Sequence, residues 1–304
     1  MSSDEALAYI IKNKREEFEI QMLNGYRPKR CPYCKEPTIW QYGKTKSGLQ
    51  RYRCGSCQKT FTPLTGTPFD SHRDLLVDWL TYSVNVGCCG LMDDAECLKL
   101  YQQSPAWWTL LLRAVRAYRM NTVFLEQLAF RKIEYSWETQ STSSMGKESR
   151  ERHHAHIELG IGRTARGTSL VLHFDGAEAP KPESILAAFK DNIKEKTVFL
   201  CREEDIGLYR MLIKDLNLDG RIYRESNSSQ NTNNNTYEGI LQDMQGILFE
   251  FLDCHQKWFF QNVQGFLDMF SFFVLHSNTE KLSQFKILRD IVLDLDDIEI
   301  GSRS

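Results

Sequence analysis

The chain has no apolar run long enough to span a bilayer and no apolar stretch near its start. Both absences predict a soluble, cytoplasmic protein with no membrane partner. Net charge is also nearly missing: 38 Lys and Arg stand against 40 Asp and Glu, for −2. Cysteines number nine, which cannot all pair, and nothing points to an oxidising compartment. Cys88, Cys89, Cys97, Cys201 and Cys254 are expected to be reduced, mostly buried thiols. Between residues 27 and 59 acids are scarce, since Glu36 alone faces nine Lys and Arg. What remains is ample for folding: 304 residues, 41% of them apolar, allow two or three domains.

The four other cysteines form two knuckles, Cys31-Pro-Tyr-Cys34 and Cys54-Gly-Ser-Cys57. Each C-x-x-C turns two sulfurs toward one point, and the separation of the knuckles is that of a four-cysteine zinc ribbon. Soft thiolates in a tetrahedron select Zn2+, so Cys31, Cys34, Cys54 and Cys57 are the expected ligands of a structural zinc. A pair of disulfides or four unrelated buried cysteines are the competing readings. Residues 38–42 and 49–53 read as a hairpin across a Gly43 to Gly48 turn, and residues 60–69 as an extended connector. The module's bases, among them Lys44, Lys46, Arg51 and Arg53, lie among Trp40, Tyr42 and Tyr52. Such a composition suits a polyanion, because Lys and Arg release phosphate counterions; a solvated charged hairpin is the plainer alternative.

Residues 5–24 read as one amphipathic helix carrying Leu7, Ile10, Ile11, Phe18 and Met22. Residues 71–120 read as three helices, broken at Gly87 and Gly90 and restarted by Ser104-Pro105 as N-cap and first helical residue. The third shows Arg113, Arg116 and Arg119, and a basic helix after a turn is a plausible helix-turn-helix reader of a major groove, although three-helix bundles are common. Beyond residue 130 the period changes. Strands are expected at 132–138, 155–161, 169–174, 198–201 and 221–223, with polar loops at 141–153 and 226–236. Helices are expected at 183–195, 207–216, 237–252 and 258–276. The fold class is therefore multi-domain α+β: a four-cysteine ribbon, a three-helix segment, then an α/β domain with a mixed sheet. The expected divisions are 1–26, 27–69, 70–125, 130–280 and an acidic end at 281–304. His153, His154 and His156 invite a second metal site but lack an evident fourth ligand. Glu134, Glu138, Glu203, Glu204, Asp205 and Glu238 come from separate elements; if they converged, they would suit a two-Mg2+ phosphoryl-transfer site.

The run from Cys31 through Gln50-Arg-Tyr-Arg-Cys54-Gly-Ser-Cys57-Gln-Lys-Thr-Phe61 to Thr65-Gly-Thr-Pro-Phe69 resembles the N-terminal zinc ribbon of bacterial insertion-sequence transposases. The segment after it, with Ser104 and a Trp-rich helix, is similar to their helix-turn-helix. Thr197-Val-Phe-Leu-Cys201 with Gly207-Leu-Tyr209, and the Asn-rich loop with Phe249-Glu-Phe-Leu252 and Trp258-Phe259, more loosely resemble their RNase H-like core of the DDE type. The resemblance implies a protein that binds the double-stranded DNA of element ends, usually as a homodimer. It also implies that Mg2+ or Mn2+ is needed for catalysis. The catalytic positions it implies are altered here. Trp137-Glu138-Thr139 replaces Asp-Glu-Thr, Glu203 or Asp205 stands for the second Asp, and Asn234, Asn235 or Glu238 fills the third position. Trp cannot ligate Mg2+, and the extra methylene of Glu moves a ligand by roughly 1 Å, which can cost about a hundredfold in rate. The expectation is a transposase-like DNA-binding protein with strand-transfer chemistry weakened or lost. An active transposase and a zinc-ribbon module binding RNA or protein are the alternatives.

Overall fold

The computed structural model describes residues 3–70, 76–87, 105–122, 125–142, 148–164, 167–176, 192–201, 206–215, 217, 222–224, 237–254, 263–277 and 279–295. The expected helix at 91–102, the loop at 226–236 and the acids Asp296, Asp297 and Glu299 lie outside these residues. Among the described residues no helix is long and apolar enough to cross a membrane. The chain divides into two units, Met1–Ala114 with His276–Ser304, and Val115–Leu275.

The first unit begins with α1 (Ser3–Asn13) and α2 (Arg15–Asn24), in place of the single expected helix. Lys14 leaves helical geometry at φ −138°, ψ 39°, and the Asn13 side-chain amide donates back to the Tyr9 carbonyl, closing α1 there. The ribbon follows as an antiparallel sheet of β1 (Ile39–Lys44), β2 (Gln50–Cys54) and β3 (Thr60–Phe61), in that order. β3 adds a strand to the expected hairpin. Residues 62–70 form successive tight turns rather than an extended connector: Thr65, Thr67 and Asp70 each bond back three residues, and the Gly66 amide donates to Asp70. Threonine hydroxyls, which also accept from nearby backbone amides, favour turns over extension here.

The helical layer of this unit comprises α1, α2, α3 (Leu76–Gly87), the first part of α4 (Pro105–Thr122) and, from the far end of the sequence, α8 (Lys281–Asp294). The helices between α4 and α8 in the sequence belong to the second unit. Phe18, Met22, Leu76, Trp79, Leu80, Leu111, Leu288 and Val292 are buried in it. The stretch expected as an acidic end is thus largely a helix: Asp294 accepts from the Tyr26 hydroxyl and pairs with Lys29, while the buried Arg289 donates to the Met22 carbonyl. Gly25 permits that approach, since a Cβ there would lie 2.9 Å from the Arg289 guanidinium.

Glu19 is buried and its two oxygens accept separately from the amides of Leu76 (3.0 Å) and Val77 (2.8 Å), the first described turn of α3. A carboxylate suits a helix N-terminus. Burial nevertheless raises its pKa, against the pull of those two amides. A raised folded pKa means the contribution is fullest below the unfolded value and is lost as pH rises through the folded one. Glu19→Gln turns an NH2 toward an amide that needs an acceptor. It is expected to cost about 1–3 kcal/mol, read as faster amide exchange in α3, and to flatten the pH dependence.

In the second unit β4 (Leu125–Thr142), β5 (Glu148–Thr164) and β6 (Gly167–Gly176) run antiparallel, and β7 (Ile193–Cys201) and β8 (Ile222–Arg224) join in parallel beside β4, giving the order β6-β5-β4-β7-β8. The mixed sheet is as expected, but the strands are longer. Residues 141–142 and 148–153, expected as loop, belong to β4 and β5, where Gln140 pairs with Arg150 and Thr139 with Glu151. The ladder is held by backbone hydrogen bonds, so polar residues extend it without apolar alternation. Residues 193–195, expected as helix, open β7.

Ala129, Ile133 and Tyr135 of β4 and Ala155, Ile157 and Leu159 of β5 face one buried side. α6 (Tyr237–Cys254) covers them, with Tyr135 centred 5.4 Å from Phe249 and donating to Asp253. α7 (Val263–Leu275) is buried from Gly265 through Phe273, as befits a helix apolar on every side, and packs against β6. α5 (Ile206–Asp215) follows β7.

Candidate metal centre

The two cysteine knuckles share one backbone design. The amide of Lys35 bonds to the Cys31 carbonyl and that of Gln58 to the Cys54 carbonyl; the amides of Cys31 and Cys54 bond in turn to the carbonyls of Glu36 and Lys59. Lys35 (φ 61°) and Gln58 (φ 59°), each following a second cysteine, are both left-handed. Such a conformation costs a non-glycine residue on the order of 1 kcal/mol, so it persists because the knuckle turn demands it. Nothing in the residue types of Lys35 and Gln58 signals it.

The turns bring the four Sγ atoms within 4.8 Å of one another. The close pairs run across the knuckles, Cys31 to Cys57 at 3.6 Å and Cys34 to Cys54 at 3.5 Å. All four are free thiols, and these separations are far beyond a disulfide bond. A zinc tetrahedron with bonds of about 2.3 Å has sulfur–sulfur edges of about 3.8 Å. The cluster is therefore consistent with a structural Zn2+ site. Among the described residues no other group of three or more His, Cys, Asp or Glu could hold an ion; His153, His154 and His156 form no such group.

Electrostatics favour a cation here. The Cys57 and Ser56 amides aimed at Cys54 hold its thiol down to about 6, despite burial. At Cys34 the Glu36 amide pulls down, but burial and the sulfurs of Cys54, Cys31 and Cys57 push the thiol up to about 12. A first thiolate thus opposes the next, and a divalent ion removes the opposition. The protein core under the site is small: Tyr52 and Phe61, stacked 5.8 Å apart, with Ile39 packed beside them. The Tyr52 hydroxyl donates to the Tyr26 carbonyl, tying the ribbon to the end of α2.

The aromatic residues of the hairpin divide by face. Tyr52 is 2% exposed, whereas Trp40 and Tyr42 are each 45% exposed on the opposite side of the sheet. Trp40 lies across Gly55 of the second knuckle, where a Cβ would come within 2.9 Å of its ring. The Arg51 and Arg53 guanidiniums stand 5.6 and 5.3 Å from the Tyr42 ring centre. Lys44 and Lys46 are exposed near the turn.

Among the described residues the remaining predicted residues do not gather into a second ion-binding group. On α4, Arg116 is exposed and Arg113 half-buried, but Arg119 does not face solvent as expected: it lies 2.8 Å from the buried Asp268 of α7. Trp108 is buried in the helical layer and the Trp107 carbonyl accepts from Trp79, so this pair serves the core. Glu134 and Glu138 occupy the outward face of β4, where Glu134 meets His154 at 2.9 Å and Glu138 meets Arg152 at 3.1 Å. Trp137 pairs with His153 in the ladder of β4 and β5. The last pairing of β4 with β7 joins Leu128 to Phe199; Glu138 follows Leu128 by ten positions, about 33 Å of straight strand. Glu203, Glu204, Asp205, Asn234 and Asn235 lie outside the described residues, and Glu238 falls in the first turn of α6.

No protein-family model matches this chain, no curated protein matches it in sequence, and no solved structure matches it in fold.

Proposed function

We propose that the chain is a transposase-like DNA-binding protein of an insertion sequence, with one structural Zn2+ in the ribbon and with DNA strand-transfer chemistry weakened or lost. The DNA reading is carried by the ribbon's charge. Nine bases stand against one acid over residues 27–59, and among the described residues neither Arg51 nor Arg53 has an acidic partner. Double-stranded DNA supplies the missing anions, with Lys44, Lys46, Arg51 and Arg53 on phosphates.

Two features support the wider reading. The mixed sheet, an antiparallel meander with two parallel strands beside its first strand, is compatible with an RNase H-like core. The loss of chemistry is supported by Glu138. A two-metal site gathers its carboxylates around ions roughly 4 Å apart. Glu138 instead already has Arg152 as its cation and lies far along β4 from the β7 pairing; Glu134 is four positions nearer.

The test is duplex binding as a function of salt. The double variant Arg51→Ala, Arg53→Ala is expected to bind a mixed-sequence duplex more weakly and to flatten the slope of log affinity against log salt by about 2, one for each lost phosphate contact. An unchanged slope refutes the ribbon as the DNA module. Nicking of duplex in Mg2+ or Mn2+ by the purified chain, abolished by Glu134→Ala, refutes the loss of chemistry.

A further inference from the structure

The outward face of the ribbon contains more than phosphate binding requires. Phosphates are held by cations, yet two aromatic rings stand among these cations with nearly half their surface in water. Trp40 and Tyr42 alternate on β1, so both point to the same side, about 7 Å apart along the strand. That is twice the ~3.4 Å rise of a stacked nucleic-acid strand. Among the described residues β1 is an edge strand, with β2 on one flank and no strand of its sheet on the other.

The rings are also held in place. The benzo ring of Trp40 lies against Gly55, which restricts its orientation, while 45% of the residue stays exposed. Tyr42 is braced by Arg51 and Arg53 from β2. Ordering a side chain in advance removes the entropy cost that a ligand would otherwise meet. The bases of a duplex are stacked on one another and offer only their edges in the grooves. Unpaired bases present a face to a ring without the cost of unstacking a duplex step.

We infer that Trp40 and Tyr42, with Arg51 and Arg53, form a stacking platform for the unpaired bases of a single-stranded nucleic-acid segment adjoining a duplex. The inference rests on the DNA-binding reading above and specifies what the ribbon recognises. The two guanidiniums over the Tyr42 ring neutralise the backbone of the same strand, while base–ring stacking supplies affinity without sequence preference. Charge selects this occupant over a protein strand added at the β1 edge, because the face surrounds an extended peptide with bases and scarcely an acid.

The test uses the full chain with one zinc bound, and three probes followed by fluorescence anisotropy. These are a blunt mixed-sequence duplex, the same duplex with an unpaired thymidine tail on one strand, and the tail alone. The tailed duplex is expected to bind about tenfold tighter than the blunt one, the gain from a stacked base. Trp40→Ala and Tyr42→Ala should each bring that ratio toward one, and Trp40→Phe should retain most of it. Retention of one zinc per chain verifies that each variant still folds its ribbon. Equal affinity of the wild-type chain for blunt and tailed duplex overturns this inference alone, as does a ratio that survives both alanine variants. Self-association lost in Trp40→Ala, with no preference for the tail, overturns it in favour of a protein interface. Binding to none of the three probes overturns the DNA reading and this inference together.

Discussion

Cys54→Ser is expected to release the zinc and unfold residues 27–69 while leaving the second unit folded. Cys54 is fully buried and its sulfur lies 3.5 Å from that of Cys34. A serine hydroxyl is a poor substitute for a thiolate toward Zn2+, and three remaining sulfurs leave an open tetrahedron. Structural zinc in small modules contributes about 10–16 kcal/mol of apparent binding free energy, which is also their folding free energy. Beneath the metal the ribbon has chiefly Tyr52, Phe61 and Ile39 to bury, too little to replace it. Metal analysis should fall from one zinc per chain to none, and amide exchange should accelerate across β1 to β3 but not in α7. Acid should act in the same direction. Zinc needs the thiolates, so protons compete with it, and the metal is retained at neutral pH and lost as pH falls. A Cys54→Ser chain that keeps a full zinc and a protected β2 refutes the assignment.

Arg119→Ala is expected to be the most damaging single change in the second unit. The Asp268 side chain is wholly buried; its Oδ1 accepts from Gln264 at 2.8 Å and lies 2.8 Å from the Arg119 Nε, while Oδ2 has no hydrogen-bond partner among the described residues. The Arg119 N–H is not aligned on that oxygen, so the attraction is one of charge more than of hydrogen bonding. Removing one member of a buried pair costs about 3–5 kcal/mol, since the other charge is stranded. The expected readout is loss of exchange protection in α7 at neutral pH. Burial already raises the Asp268 pKa, with Arg119 pulling it down. Without the arginine the carboxyl rises further and takes up a proton sooner on acidification. The deficit of Arg119→Ala should therefore be full at neutral pH and shrink as pH falls. Adding Asp268→Asn should recover part of it at neutral pH. A deficit independent of pH, or none, refutes the stranded-charge account.

The ribbon is legible in the sequence because four cysteines at fixed spacing leave few arrangements of backbone. The division of its aromatic residues is not: Tyr52 and Tyr42 sit in similar surroundings in the sequence, and only the pairing of Gln41 with Tyr52 sends one to the core and the other to solvent. The apolar part of the second unit's sheet is legible through alternation, as at Ile133, Tyr135, Ala155 and Ile157. The polar ends of β4 and β5 are not, because backbone pairing leaves no hydrophobic trace there. Arg119 misleads for a related reason: a basic residue on an amphipathic helix signals solvent until a buried acid, here 149 positions later in the chain, supplies a partner. The candidate carboxylates are the least legible, since residue type says nothing about convergence. Glu138 is paired to the neighbouring strand, and Asp205 and Glu203 lie outside the described residues.

The first unit is assembled from both ends of the chain, with α8 seated beside α1 and α3. During translation this separates two events in time. All four sulfurs have left the ribosome once residue 57 emerges, so the four-cysteine cluster can form early. The helical layer cannot: Phe285, Leu288, Arg289 and Val292 are synthesised after every strand of the second unit. Until then the apolar faces of Met22, Leu76 and Leu80 stand open on the nascent chain. A stop codon or protease cut before residue 281 would leave them open permanently, giving a folded ribbon on an exposed hydrophobic base, a species prone to aggregation and a target for chaperones.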